Sequence, residues 1–129
     1  MHIVVIDSGH LAGEADFPMP DMDKCGWQQF VQLADTEVAE RCWRSDVIVS
    51  VATPVTRPVI DRAFKLRLII AAGDNTNHID LAAARERGIT VCNAPGLNPA
   101  NAAHSQAICN QVINNVNAWL KNQPVNLVT

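Results

Sequence analysis

The sequence predicts an α/β domain, a small flavodoxin-like three-layer unit with a parallel sheet and helices on both faces. Three observations point there. The strongest apolar runs are short, continuous and rich in β-branched residues, as in strands buried on both faces of a parallel sheet. They alternate with segments of helical period along the chain. The length, 129 residues with 48% hydrophobic and 18% charged, suits one sizeable core and is too short for two ordinary domains.

Residues 2–7, HIVVID, form the first run and open the sheet. Residues 8–24 hold Gly9, Gly13, Pro18 and Pro20 among acidic residues and predict a long exposed connection. From Cys25 to Arg44 the positions Trp27, Phe30, Val31, Leu33 and Ala34 follow helical spacing, with Val38 beyond them. A helix is therefore expected from about Trp27, followed by a short irregular passage. Asp46–Val51 is the next buried strand, broken by Thr53-Pro54. Pro58 suits a helix first turn and predicts a short helix from Arg57 to Phe64. Leu66–Ala72 is a third strand and Gly73–His78 a polar turn. Asp80 can cap the Ala-rich helix Leu81–Arg87, which Gly88 stops in the left-handed conformation. Ile89–Cys92 is a fourth strand, ended by Asn93-Ala-Pro-Gly96. From about Ala102 a long helix is expected. Its apolar face is Ile108, Val112, Val116 and Trp119, flanked by Cys109, Ile113 and Leu120, and its polar face runs through Asn110, Gln111, Asn114, Asn115 and Asn117. Pro124 is its stop signal, and Val125–Val128 is an apolar tail.

Composition excludes several classes. Ten Lys and Arg against 13 Asp and Glu give a net charge of −3, without the basic excess of a nucleic-acid surface or an anionic-membrane anchor. The longest unbroken apolar stretch, Leu68–Ala72, is far below membrane-spanning length. No secretory leader is expected, and cytoplasmic localisation follows. Cys25, Cys42, Cys92 and Cys109 form no C-x-x-C pair and read as free thiols. His2, His10, His78 and His104 are scattered, outside any metal-ligand spacing, and read as solvated or capping residues.

Ligands of an open parallel sheet sit beyond the carboxyl ends of its strands. Of the turns there, Gly73–His78 is the best candidate, because short polar residues between a strand and a helix can aim several main-chain N–H groups at an anion. An ordinary strand-to-helix turn is the competing reading. Asp7 is expected to begin a turn. No G-x-G and no G-x-x-x-x-G-K-[ST] is present, so no phosphate-cradling glycine loop is expected.

Leu66–Gly96, LRLIIAAGDNTNHIDLAAARERGITVCNAPG, resembles the N-terminal part of the D-isomer-specific 2-hydroxyacid dehydrogenases. The apolar strand, the I-D-L-A-A-A-x-x-R-G-I helix and the N-x-P-G exit match in order and spacing. Residues 1–65 are compatible with the same family. Gln111–Val128, QVINNVNAWLKNQPVNLV, resembles that family's extreme C-terminal helix and apolar tail. In the family a whole nucleotide-binding domain lies between the two stretches. The resemblance therefore implies a single substrate-binding (catalytic) domain over 1–129, with 1–96 and 107–129 rejoined across a seam at about 97–106.

The resemblance implies further points. The family's glycine loop and its catalytic Arg, Glu and His belong to the missing part, so no catalytic and no cofactor-binding residue is assigned. Pro99-Ala100 would be a remnant of the family's Pro-His, with Ala100 at the His position and His104 out of register. Gly73, Asp74, Asn75 and Thr76, followed by Asn77 and His78, match the turn whose main-chain N–H groups hold the substrate carboxylate. Asn75 stands where Gly is usual. The Asp74 carboxylate would repel a substrate carboxylate about 4 Å away by roughly 1–4 kcal/mol in wet surroundings unless it points elsewhere.

The expected function is an isolated substrate-binding domain of an NAD-dependent D-2-hydroxyacid dehydrogenase, of the glycerate dehydrogenase or hydroxypyruvate reductase kind, inactive alone. NAD(H) or NADP(H) is implied for the full-length family and no cofactor for this chain. A small 2-oxo or 2-hydroxy acid is expected to bind weakly if at all. The alternative is a non-catalytic flavodoxin-like binding or interaction module. Loss of a partner domain would expose Pro54, Val55, Pro95 and Leu97, so self-association is expected, with exchange of the helix His104–Lys121 as its route and a plain monomer as the competing outcome.

Overall fold

The computed structural model describes residues 1–129. Five strands form one all-parallel sheet: β1 (His2–Val5), β2 (Gly26–Gln29), β3 (Val47–Ser50), β4 (Leu68–Ala71) and β5 (Thr90–Cys92). Their order is β2-β1-β3-β4-β5, the flavodoxin-like arrangement. Four helices cover the sheet: α1 (Val38–Cys42), α2 (Arg57–Arg62), α3 (Leu81–Glu86) and α4 (Ser105–Leu120). No helix is long and apolar enough to cross a membrane.

Alternate strand residues feed two cores, as the pleat requires. Val4, Ile48, Ile69 and Val91 face one side and meet Val38 and Cys42 of α1, Val59 and Ile60 of α2 and Ala83 and Ala84 of α3. Ile3, Val5, Val47, Val49, Leu68 and Ile70 face the other and meet Ile108, Val112 and Val116 of α4. Three short helices thus close one face and a single long helix the other. The apolar stripe expected on α4 is the buried one.

The local signals that set α2, α3 and α4 are in place. Pro58 lies in the first turn of α2. The Asp80 side chain accepts from the Ala83 amide at 3.0 Å, and Gly88 at φ +66 ends α3. Asn101 caps a 3-10 turn, Ala102–His104, that leads into α4. The helix stops at Leu120 because Asn122 turns left-handed at φ +60, ahead of the expected stop at Pro124. The cysteines are free, and burial pushes the Cys42 thiol up to about 12.

Four expectations are corrected. The helix placed from about Trp27 is a strand: Trp27 stands in register with Ile3 and packs on the α4 side, while Phe30 packs on the opposite face. Pairing with β1 overrides an i, i+3 coincidence among a few residues. The irregular passage precedes the helix, which begins at Val38. The connection 8–24, expected only as a long exposed stretch, is mostly exposed but also laced to α4: the Gly13 amide donates to Ser105 Oγ (3.0 Å), the Asp21 amide to Asn117 Oδ1 (2.8 Å), and Gln106 both accepts from Asp16 N and donates to Asp16 O. Its Leu11 and Phe17 complete the core that α4 leaves short. Asn115, assigned to the polar face, is fully buried: it donates to the Asn93 carbonyl (2.8 Å) and accepts from Gln111 and Asn126. Val55, placed on the exposed side, is also fully buried.

Candidate substrate site

All five strands point their carboxyl ends to one side, where the turns after β3 and β4 and the segment after β5 meet. Two adjoining clefts of about 350 and 380 Å³ lie there, sharing Asn75, Asn98 and Pro99. The first adds Asp74, Gly96 and Leu97; the second adds Val51, Ala52, His78 and Ala100, with His10 at its rim.

The turn after β3 is already satisfied by an anion of the chain's own. Asp7, fully buried at the end of β1, accepts from the amides of Val51 (2.7 Å), Ala52 (2.8 Å) and Thr53 (2.7 Å) and from Thr53 Oγ1 (2.8 Å). Asp7 begins a turn as expected, its carbonyl accepting from His10 N (3.0 Å), and its side chain in addition caps the neighbouring strand's exit. Its type and position gave one available signal, a carboxylate closing an otherwise apolar strand, but no spacing links it to residues 51–53.

The turn after β4 differs. Gly73 is held under Pro99: its carbonyl accepts from Ala94 N (3.0 Å), and a Cβ there would come within 2.8 Å of Pro99 Cδ. Asp74 is spent internally. Its amide donates to the Leu97 carbonyl (2.9 Å), its carbonyl accepts from Asn93 Nδ2 (3.0 Å), and its carboxylate accepts from the Gly96 amide (2.9 Å). The carboxylate that threatened a bound anion is thereby turned onto the β5 exit. Asn75 Oδ1 accepts from the Asn77 amide (2.7 Å), an Asx-type turn that shapes the loop. The amides of Asn75 and Thr76 donate to nothing within the chain. Of the four residues Gly73, Asp74, Asn75 and Thr76, only Asp74 spends its amide within the chain; the Gly73 amide is free like those of Asn75 and Thr76, while the Gly73 carbonyl and Asp74 lock the turn in place.

His78 is half-buried on the cleft wall, with Nε2 3.3 Å from the Ser50 carbonyl oxygen. Burial lowers its pKa below the ordinary value; the Ser50 carbonyl and the Asp7 carboxylate pull the other way. At neutral pH the imidazole is uncharged. His104 Nδ1 accepts from the Asn98 amide (3.0 Å), so this histidine holds the segment after β5 and does not line the cleft. No Lys or Arg lines either cleft.

The turn after β1 offers no comparable cradle. The amides of Ser8, Gly9 and His10 donate to the carbonyls of Phe30, Val31 and Asp7, and a Cβ on Gly9 would meet Val31 Cγ1 at 2.6 Å. Gly9 serves close packing against the β2 exit.

Comparison with known proteins agrees with this architecture. The family model for the catalytic domain of the D-isomer specific 2-hydroxyacid dehydrogenases matches residues 27–129. A Haemophilus influenzae protein assigned as a 2-hydroxyacid dehydrogenase is 26% identical over 124 residues, 95% of this chain and 39% of that protein. The D-3-phosphoglycerate dehydrogenase of Methanocaldococcus jannaschii is 42% identical over 72 residues, 55% of this chain and 14% of that enzyme. Among solved structures, the NAD+-bound 3-phosphoglycerate dehydrogenase of Entamoeba histolytica shares the fold over 74% of this chain and 33% of its own, with TM-score 0.60 and 21% identity. The chain spans well under half the length of these relatives. The match of the family model over most of the chain, on a sheet of the same kind, places it in the D-isomer specific 2-hydroxyacid dehydrogenase family, as that family's catalytic domain.

Proposed function

We propose that this chain is a substrate-holding domain that binds the carboxylate of a small 2-oxo or 2-hydroxy acid on the free amides of Asn75 and Thr76 and carries out no hydride transfer by itself. The observation that carries this is that amide pair, presented at the carboxyl end of β4 by a turn that Asp74 and the Asn75 side chain hold in place. Two oriented N–H donors suit the two oxygens of a carboxylate. With no cation lining the clefts, binding is weak, about 1 mM or weaker.

NAD(H) or NADP(H) is the cofactor implied by the family. The residues present do not fit it. A pyrophosphate needs closely spaced glycines with free amides at a strand-to-helix turn. Here the turn after β1 spends its amides on Phe30, Val31 and Asp7, and the turn after β3 spends its amides on Asp7. The two left-handed glycines, Gly88 and Gly96, lie apart on different loops. We read residues 97–106 as the seam at which a nucleotide-binding domain is left out, with 107–129 serving as the family's C-terminal helix and tail. In support, α4 follows the β5 exit after a short segment and lies directly on the sheet.

The test is amide NMR with glyoxylate, hydroxypyruvate and D-lactate, then with NADH. Saturable shifts at Asn75 and Thr76 with the acids, and none with NADH, are expected. Acids that leave both amides unmoved at tens of millimolar overturn the reading in favour of a non-catalytic interaction module, and micromolar NADH binding overturns the cofactor assignment.

A further inference from the structure

The two edges of the sheet are finished differently. Outside β5 the chain lays down its own tail: Val91 N donates to Thr129 O (2.7 Å), Val128 N to Val91 O (2.7 Å) and Asn93 N to Asn126 O (3.1 Å). Outside β2 no strand follows. Gly26 and Phe30 donate to Met1 and Val5 at 2.8 Å each, so strand alternation turns the N–H and C=O groups of Trp27 and Gln29 away from β1. Edge strands are ordinarily guarded by Lys, Pro, a bulge or a cover. Residues 26–33, GWQQFVQL, carry no charge and no proline, and Val31 is 71% exposed.

We propose that β2 is a docking edge for a second copy of this chain, joined antiparallel about a two-fold axis at Gln28 into one continuous ten-stranded sheet. Self-complementarity selects that occupant. With Gln28 facing Gln28 of the second copy, Trp27 lies opposite Gln29 and Gln29 opposite Trp27. These are the residues whose main-chain groups point outward, and each such pair exchanges two hydrogen bonds. The side chains agree with this register: Trp27 Nε1 already donates to Gln29 Oε1 (3.1 Å), so an indole and an amide from each copy gather on one face. Charge agrees as well. Each chain carries −3, yet its edge is neutral, so two copies meet there without like charges opposed. A charged strand from another protein would find no counter-charge on β2. The axis runs through the sheet edge and leaves the clefts at the carboxyl ends open.

Three variants of the full chain test this. Gln28→Lys sets two cations against each other across the axis. Gln29→Pro removes an N–H that faces away from β1 and so spares the intramolecular ladder. Gln28→Cys places two thiols at a Cα separation of about 4.5 Å, within disulfide reach. Sedimentation should show the wild type dimerising with concentration, with the dissociation constant raised roughly tenfold or more in Gln28→Lys and Gln29→Pro. Both should keep the wild-type thermal melt at dilutions where the wild type is monomeric, and Gln123→Lys should behave as wild type. Gln28→Cys should cross-link under mild oxidation through residue 28, as mapped by mass spectrometry. A wild type that stays monomeric overturns the proposal. So does a dimer unaffected by Gln28→Lys and linked elsewhere in Gln28→Cys, which is what exchange of α4 between chains would produce.

Discussion

The turns after β3 and after β4 leave neighbouring strands at the same end of the sheet, yet one is filled and the other open. After β3, three successive amides and a hydroxyl converge on the buried Asp7 carboxylate. After β4, the nearest carboxylate, Asp74, bonds the Gly96 amide instead, and the Asn75 and Thr76 amides are left without an internal acceptor. A strand exit in this fold is an anion site by default. Whether it serves structure or ligand depends on whether the chain supplies the anion itself.

Replacing Asp7 tests the filled turn and should have the largest effect. Asp7→Ala strands the buried amides of Val51 and Thr53, and each unsatisfied donor costs about 1–3 kcal/mol, so a loss of roughly 2–6 kcal/mol is expected. Urea unfolding should show a lower midpoint at unchanged slope. Formate added to this variant should recover part of the loss, because it restores an anion to the vacated position. No recovery would mean that the turn needs the covalent tether and not only the charge.

Gly73→Ala addresses the anchoring of the open turn. The new Cβ would press on Pro99 Cδ at 2.8 Å, an overpacking cost of about 1–3 kcal/mol. The Asn75 and Thr76 amide resonances should shift with it, because Gly73 ties this turn to Ala94 and Pro99. An unmoved turn would show that Asp74 and Gly96 suffice to hold it.

Thr76→Pro sharpens the contrast by deleting one free donor. Stability should change by less than about 1 kcal/mol, since no internal hydrogen bond is removed. Carboxylate-induced shifts at Asn75 should weaken severalfold. Undiminished binding would move the acid to another part of the cleft.

The smallest effect is a pH dependence from His78. Its folded-state pKa lies below the ordinary value, with burial as the main cause, so the unfolded chain binds more protons over the interval between the two. Stability should therefore be fully present above about pH 6.5 and decline as pH falls from there towards the folded-state pKa. His78→Gln should flatten that part of the profile, measured by urea midpoints at several pH values.

Much of the fold was legible because its signals are local or periodic. Continuous β-branched runs gave β1, β3, β4 and β5, and Asp80, Gly88 and the Ile108–Val112–Val116 stripe set α3 and α4. β2 was not legible. Five residues with Trp and Phe three apart satisfy a helical template as well as a strand, and only the vacant flank of β1 decides between them. Asn115 was misread for a related reason: its partners, Asn93 and Asn126, come from the β5 exit and the tail.

The candidate site divides in the same way. Sequence alone located the turn at Gly73–Thr76 and the family to which it belongs, because short-range order and spacing survive without tertiary information. It also settled the charge, the absence of a glycine fingerprint and the apolar stripe of α4. Which amides remain free, where Asp74 turns its carboxylate and what Asp7 caps were decided only by the tertiary structure. The Asp7 and Asp74 contacts are hydrogen bonds between residues about 20 or more apart in the chain, and main-chain donors, bonded or free, are identical in every residue. Their fate depends on which segment the packed sheet brings opposite them.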